Sequence, residues 1–254
     1  MEQFIPFLIA CPVVFLAGFV DAIGGGGGLI SLPAYLMTGL PAHMVLGTNK
    51  LSSVMGTSLA TFRFWRSGMI KWRLALPAAV LGLCGSVAGA NLALLVDDQV
   101  FRWIMVVLIP LTALYVLRGK PLDAERAALS ERRTLVACAL ISLALGVYDG
   151  FYGPGTGTFL MLGFTAVAHL TLVQAAGTTK VVNLTTNVSA LTVFLLNGQV
   201  YLLLGFIAGL FNMAGAWFGV TLFKGQGARV VKPIMLIVLS IFLVKTIGEL
   251  AGIF

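Results

Sequence analysis

The chain has 254 residues, of which 59% are hydrophobic and only 10% charged, and its formal net charge is +7. Soluble domains carry about 25% charged residues, so this composition excludes an ordinary water-soluble globular domain. It fits apolar segments of about 20 residues that cross a bilayer as helices.

In chain order, residues 4–23 form the first predicted segment. An acid and no base precede it, so it is expected to be a retained segment rather than a cleaved signal peptide. Segments at 28–41, 45–62, 74–96 and 100–117 follow. A charged loop then runs from Arg118 to Arg133, with Pro121, Asp123, Glu125 and Glu131 inside it. Five more segments occupy 134–152, 156–169, 173–196, 200–222 and 230–252. Cys11, Cys84 and Cys138 are scattered with no CxxC spacing, and are expected to be buried small apolar side chains rather than a disulfide or metal set.

One unit is written twice. GFVDAIGGGGGL, from Gly18 to Leu29, is matched by GVYDGFYGPGTGT, from Gly146 to Thr158. GTNK, from Gly47 to Lys50, is matched by GTTK, from Gly177 to Lys180. Asp149 follows Asp21 by 128 residues, and Lys180 follows Lys50 by 130. At the second offset Gly68, Gly85, Gly89 and Arg102 fall on Gly198, Gly215, Gly219 and Lys232. The division is therefore a first repeat at 1–117, a loop at 118–133 and a second repeat at 134–254.

Basic residues set the orientation. Arg63, Arg66, Lys71 and Arg73 surround one connection; Arg118, Lys120, Arg126, Arg132 and Arg133 fill the central loop; Lys224, Arg229 and Lys232 surround the last. Asp97-Asp98 and the uncharged Asn197-Gly198-Gln199 lie between them. Basic loops stay in the cytoplasm, which places both termini outside. The loop around Gly68 is then cytoplasmic and its counterpart around Gly198 external, so the halves form an inverted repeat, an architecture recurrent in secondary transporters. The fold class is all-α: a polytopic helical membrane protein of two inverted repeats, each of about five segments. Residues 28–41 and 156–169 are each only 14 residues long, about 21 Å as helix. They are either tilted helices or halves of re-entrant hairpins with the glycines at the tip.

Few charges lie within the apolar segments: Asp21, Lys50, Asp149, Lys180, and near the end Lys245 and Glu249. Ionised groups at bilayer depth are costly, and are paired or functional. Lys245 and Glu249, spaced i, i+4, read as an interfacial pair. For Asp21 and Asp149 two readings stand together: proton coupling, or structural pairing with the lysines. The glycine runs break the helices, and such backbone survives at membrane depth only beside protein or a water-filled cavity. Gly25, Gly27, Gly153 and Gly155 can offer backbone N–H groups to an anion where helices restart, or can serve close packing. Gly85/Gly89, Gly205/Gly209 and Gly215/Gly219 read as helix-packing pairs. A polar face surrounds each lysine: Asn49, Ser53 and Thr57 beside Lys50, and Thr179, Asn183 and Asn187 beside Lys180. Such a stripe either bonds neighbouring helices or lines a polar path. His43 and His169 read as capping residues, and Trp65, Trp72, Trp103 and Tyr115 as interface anchors.

The duplicated glycine-rich segment after an aspartate, with the paired Gly-Thr-x-Lys, resembles the sulfite exporter TauE/SafE family, also called the toluene sulfonate uptake permease superfamily. The resemblance implies a bacterial inner-membrane transporter of sulfur-containing anions such as sulfite, sulfoacetate or other organosulfonates. The expected function is secondary transport by alternating access, as export, driven by protons or the membrane potential. An anion channel and an uptake permease for another small anion are the alternatives. No ATP-binding motif and no HExxH or GxSxG is present, and the chain is not expected to be an enzyme. Expected partners are a small anionic substrate, the lipid bilayer and protons. A homodimer is left open, and no nucleic acid, cofactor or metal is expected.

Overall fold

The computed structural model describes residues 4–118, 127 and 129–222. The segment at 230–252, the Lys245/Glu249 pair, and Lys224, Arg229 and Lys232 lie outside the described residues, as does most of the central loop.

The described residues form nine helices: α1 (Ile5–Gly24), α2 (Gly28–Leu36), α3 (Ala42–Arg66), α4 (Trp72–Leu94), α5 (Asp98–Arg118), α6 (Glu131–Phe151), α7 (Thr156–Ala166), α8 (Leu172–Leu196) and α9 (Leu202–Leu222). Six of them, α1, α4, α5, α6, α8 and α9, contain stretches long and apolar enough to cross a membrane. The chain is thus a multi-pass helical membrane protein. Helix α3 has 25 residues and is long enough, but its polar face around Lys50 lowers its hydropathy.

Helices α2 and α7, with 9 and 11 residues, reach about 14 Å and 17 Å at 1.5 Å per residue. They are shorter than the 14-residue segments read from the sequence and too short to cross alone. Both stop in a left-handed turn, with Gly39 at φ 78° and His169 at φ 54°. These positions are 130 residues apart, and the second is the only non-glycine residue with positive φ among the described residues.

The repeat is visible in backbone detail. Helix α3 ends with Gly68 N–H donating to Trp65 O (2.9 Å) and Met69 N–H to Phe64 O (3.1 Å). Helix α8 ends with Gly198 N–H donating to Leu195 O (3.1 Å) and Gln199 N–H to Phe194 O (2.9 Å). Gly68 and Gly198 have φ of 68° and 67°, a left-handed position that glycine takes without a Cβ clash.

Packing between the halves is crosswise. Helix α1 lies on α9 and α6 on α4, while α3 and α8 face each other. A Cβ on Gly85 would stand 2.3 Å from Leu143 O, and one on Gly215 would stand 1.9 Å from Phe15 O. Gly89 and Gly219 are likewise pressed on Val147 O and Phe19 O. Each of these contacts is the repeat image of the other, so the small residues let first and fourth helices of opposite halves touch backbone to backbone. Gly47 meets Gln199 O at 2.0 Å and Gly177 meets Met69 O at 2.2 Å in the same sense. Gly205 and Gly209 instead receive the side chains of Leu51 and Met55.

Trp65, Trp72, Trp103 and Tyr115 are all exposed. Cys11 and Cys138 are buried, but Cys84 is exposed. The expectation for Cys84 is corrected: it shares the outward apolar face of α4 with Val80, Leu83 and Val87, a face suited to lipid rather than to the core. The His43 side chain does not cap the start of α3: Asp98 Oδ1 accepts from the His43 backbone N–H (3.0 Å), and the ring lies beside Asp98 (Nδ1 to Oδ1, 3.1 Å) with Nε2 2.9 Å from Ala93 O in the last turn of α4.

Candidate functional site

The two glycine breaks meet. A Cβ on Gly25 would stand 2.5 Å from Gly157 C, and Gly28 faces Pro154 Cα. Thr158 Oγ1 on α7 donates to Gly24 O at the end of α1 (3.2 Å). Only chains without side chains at these points can cross so closely. The lysine-bearing turns of α3 and α8 close on this junction from either side.

The ion pairs also cross. Lys50 Nζ donates to Asp149 Oδ2 at 2.7 Å and to Asn187 Oδ1 at 3.1 Å, and both ionic side chains are 3% exposed. Lys180 Nζ lies 3.5 Å from Asp21 Oδ2 and donates to the main-chain carbonyl of Asp21. Each lysine therefore reaches the aspartate of the other half. Burial of this kind is tolerated because each charge has an opposite partner and hydrogen bonds.

The two pairs differ. Asp21 Oδ1 accepts from Gly27 N–H (3.3 Å), and Asp21 O also accepts from Gly25 N–H (3.0 Å). Lys180 thus places its charge on the carbonyl end of α1, where a cation is favoured, while the Asp21 carboxylate ties down the glycine run. Among the described residues the Asp149 carboxylate makes no hydrogen bond to its own glycine loop; its partner is Lys50. Lys50 instead stands beside that loop, with a Cβ on Gly153 falling 3.3 Å from its Nζ.

A polar cavity of about 30 Å³ lies at the junction, room for roughly two water molecules. Asp21 lines it from α1, Gly26 and Gly27 from the first break, Gly28 and Ser31 from α2, and Asn49, Lys50, Ser53 and Thr57 from α3. Asp149, Gly153, Gly155, Thr156 and Gly157 line it from the second break; Asn183 and Asn187 from α8; Asn212 from α9; and Ala17 is its one larger apolar side chain. Ser31 Oγ donates to Asn49 Oδ1 (2.6 Å), and Asn187 Nδ2 donates to Asn183 O (2.7 Å) and Oδ1 (3.3 Å). These bonds occupy the amide oxygens of Asn49 and Asn183.

Of the residues picked out in the sequence, Gly27, Asn49, Lys50, Ser53, Thr57, Gly153, Gly155, Asn183, Asn187, Asp21 and Asp149 come together at the cavity wall. Gly25, Thr179 and Lys180 do not. Gly25 is pressed on Gly157, Lys180 is turned to the end of α1, and Thr179 Oγ1 is buried without a hydrogen-bond partner. Ser31, Thr156, Gly26, Gly28, Gly157, Ala17 and Asn212 were not picked out. Ser31 is the one aliphatic hydroxyl of a largely apolar α2, and Asn212 the sole amide of α9; each was a readable signal. Among the described residues no group of His, Cys, Asp and Glu is placed to hold a metal ion.

The sequence profile of the sulfite exporter TauE/SafE family matches residues 10–246. A probable membrane transporter protein, ORF9, of Sinorhizobium sp is 37% identical over 92% of this chain and 90% of its own. A probable membrane transporter protein of Haemophilus influenzae is 35% identical over 93% and 92%. The probable membrane transporter YfcA of Escherichia coli K12 is 32% identical over 94% and 89%. No solved structure matches the chain. Matched along nearly its whole length by that profile and by these relatives, the chain belongs to the sulfite exporter TauE/SafE family of membrane transporters.

Proposed function

We propose that this transporter moves a small sulfur-containing anion, sulfite or a compact sulfonate, out across the bacterial inner membrane by alternating access of two inverted halves, with both termini periplasmic. The observation that carries the reading is the Lys50–Asp149 pair in the wall of a polar cavity where two broken helices cross. The amide groups of Asn49 and Asn183, the hydroxyl of Ser53 and the N–H groups at the start of α7 are the donors an oxyanion would meet there. A helix N-terminus adds favourable dipole.

In the resting state Asp149 holds the Lys50 ammonium. An anion that takes Lys50 must displace this carboxylate, and a proton on Asp149 releases the lysine without leaving a buried negative charge. Proton binding at Asp149 and anion binding at Lys50 then favour each other, which is the linkage a proton-coupled carrier needs. Asp21 and Lys180 support the same junction by fixing the first glycine run. A channel for the same anion is the competing reading, and saturation of flux separates the two.

Thermal unfolding of purified protein with sulfite, sulfate, thiosulfate, sulfoacetate, taurine and matched carboxylates tests the site, because a ligand of the folded state raises its melting temperature. The expected result is a shift with a sulfur oxyanion that vanishes in Lys50→Ala. Lys180→Ala is expected to lower the unliganded melting temperature while retaining a shift. A shift unaffected by Lys50→Ala would remove the anion site from this cavity.

A further inference from the structure

We propose that Asn212 on α9 is a further anion contact in this cavity, its Nδ2 donating to an oxyanion oxygen; this rests on the anion-site reading above. Asn212 is the only amide in a helix whose neighbours Leu210 and Phe211 are exposed on its apolar face, yet it is itself only 6% exposed. A polar side chain in a membrane helix ordinarily bonds a neighbouring helix. The side chain of Asn212 makes no hydrogen bond among the described residues. It faces the cavity with Asn49 and Asn183.

Two glycines hold it there. A Cβ on Gly56 of α3 would fall 1.8 Å from Asn212 Oδ1, and one on Gly18 of α1 would fall 2.6 Å from the same oxygen. The amide oxygen is therefore seated on the Cα–H groups of two helices, a weak contact, and the Nδ2 end is the one left for the cavity.

The repeat separates packing from chemistry. Asn212 and Gly56 correspond to Gly82 and Thr186 at the offset of 130 residues. In the second half the threonine fills the space, with its methyl 3.3 Å from where a Cβ on Gly82 would be. Large residue and glycine have changed helices between the halves. The space can thus be filled without an amide, so the amide is not required by packing. Asn212 also has no polar counterpart, which makes the cavity wall unequal on its two sides.

The test transposes the second-half arrangement onto the first, as the double variant Gly56→Thr/Asn212→Gly. Sulfite, sulfate and thiosulfate binding is measured by calorimetry on purified full-length protein, beside unliganded melting. The double variant is expected to melt near wild type and to bind roughly tenfold to a hundredfold more weakly, the effect of losing one hydrogen bond to a charged group. Asn212→Asp, of nearly the same shape, is expected to weaken binding at least as much. Wild-type affinity in a folded double variant overturns the assignment. Should that variant not fold, wild-type affinity in Asn212→Asp overturns it instead. If wild type binds none of the three anions, the anion site itself falls, and this assignment with it; loss in Lys50→Ala but not at Asn212 removes only the contact proposed here.

Discussion

Removing either partner of the Lys50–Asp149 pair is predicted to cost far more than removing both. The pair is 2.7 Å apart with both side chains 3% exposed. In Asp149→Ala the ammonium keeps only Asn187 Oδ1 at 3.1 Å, so a buried charge stands almost uncompensated. Breaking such a pair costs about 3–5 kcal/mol, whereas replacing both ions by apolar residues is often near neutral. Lys50→Met and Asp149→Leu are therefore each expected to destabilise by about 3 kcal/mol or more, and the double variant by far less, giving a coupling energy of about 3 kcal/mol. Lys180 and Asp21 should couple more weakly. Their side chains are 3.5 Å apart and Asp21 is 18% exposed, and Lys180 keeps the Asp21 main-chain carbonyl whatever residue stands at 21. Reversible unfolding in detergent micelles, followed by circular dichroism, measures both cycles. Additive costs in the first cycle, or a larger coupling in the second, would refute the reasoning.

Three other outcomes follow from the packing and the repeat. Gly89→Ala and Gly219→Ala place a Cβ 2.0 Å from Val147 O and 2.4 Å from Phe19 O; both should destabilise by about 1–3 kcal/mol or more, and a neutral effect at either in the same unfolding assay would contradict the backbone contact. Single cysteines at Ser67 and Asn197, in a chain with Cys11, Cys84 and Cys138 replaced by alanine, should react with a membrane-impermeant thiol reagent from opposite sides; labelling from one side would reject the inverted arrangement. The exposed Arg73–Glu131 pair at 3.1 Å should matter little, with Glu131→Gln changing stability by under about 1 kcal/mol.

The apolar segments and their repetition were legible because membrane helices leave long uncharged runs and the motifs recur at fixed spacing. The ends of the short helices were not. Residues 37–41 are apolar enough to extend α2, but the left-handed Gly39 and the following Pro41 stop it. Repetition identified Lys50 with Lys180 and Asp21 with Asp149, yet said nothing of which would meet. That the contacts cross between halves is a property of packing, set by Gly85, Gly89, Gly215 and Gly219. Repetition also hid one difference: Gly27 N–H bonds the Asp21 carboxylate, while Asp149 has no such bond to its own glycine loop, so the two pairs are held differently. Asn212 was passed over for the converse reason, since its counterpart is Gly82 and the repeat drew no attention to it.

The most direct test of the central claim is anion flux in proteoliposomes holding purified protein, with sulfite outside or inside and a pH difference imposed. The account predicts saturable sulfite flux that is accelerated by a proton gradient and lost in Lys50→Met while the variant remains folded. Flux no greater than in empty liposomes for sulfite, sulfate and thiosulfate, or flux that persists in Lys50→Met, would contradict it.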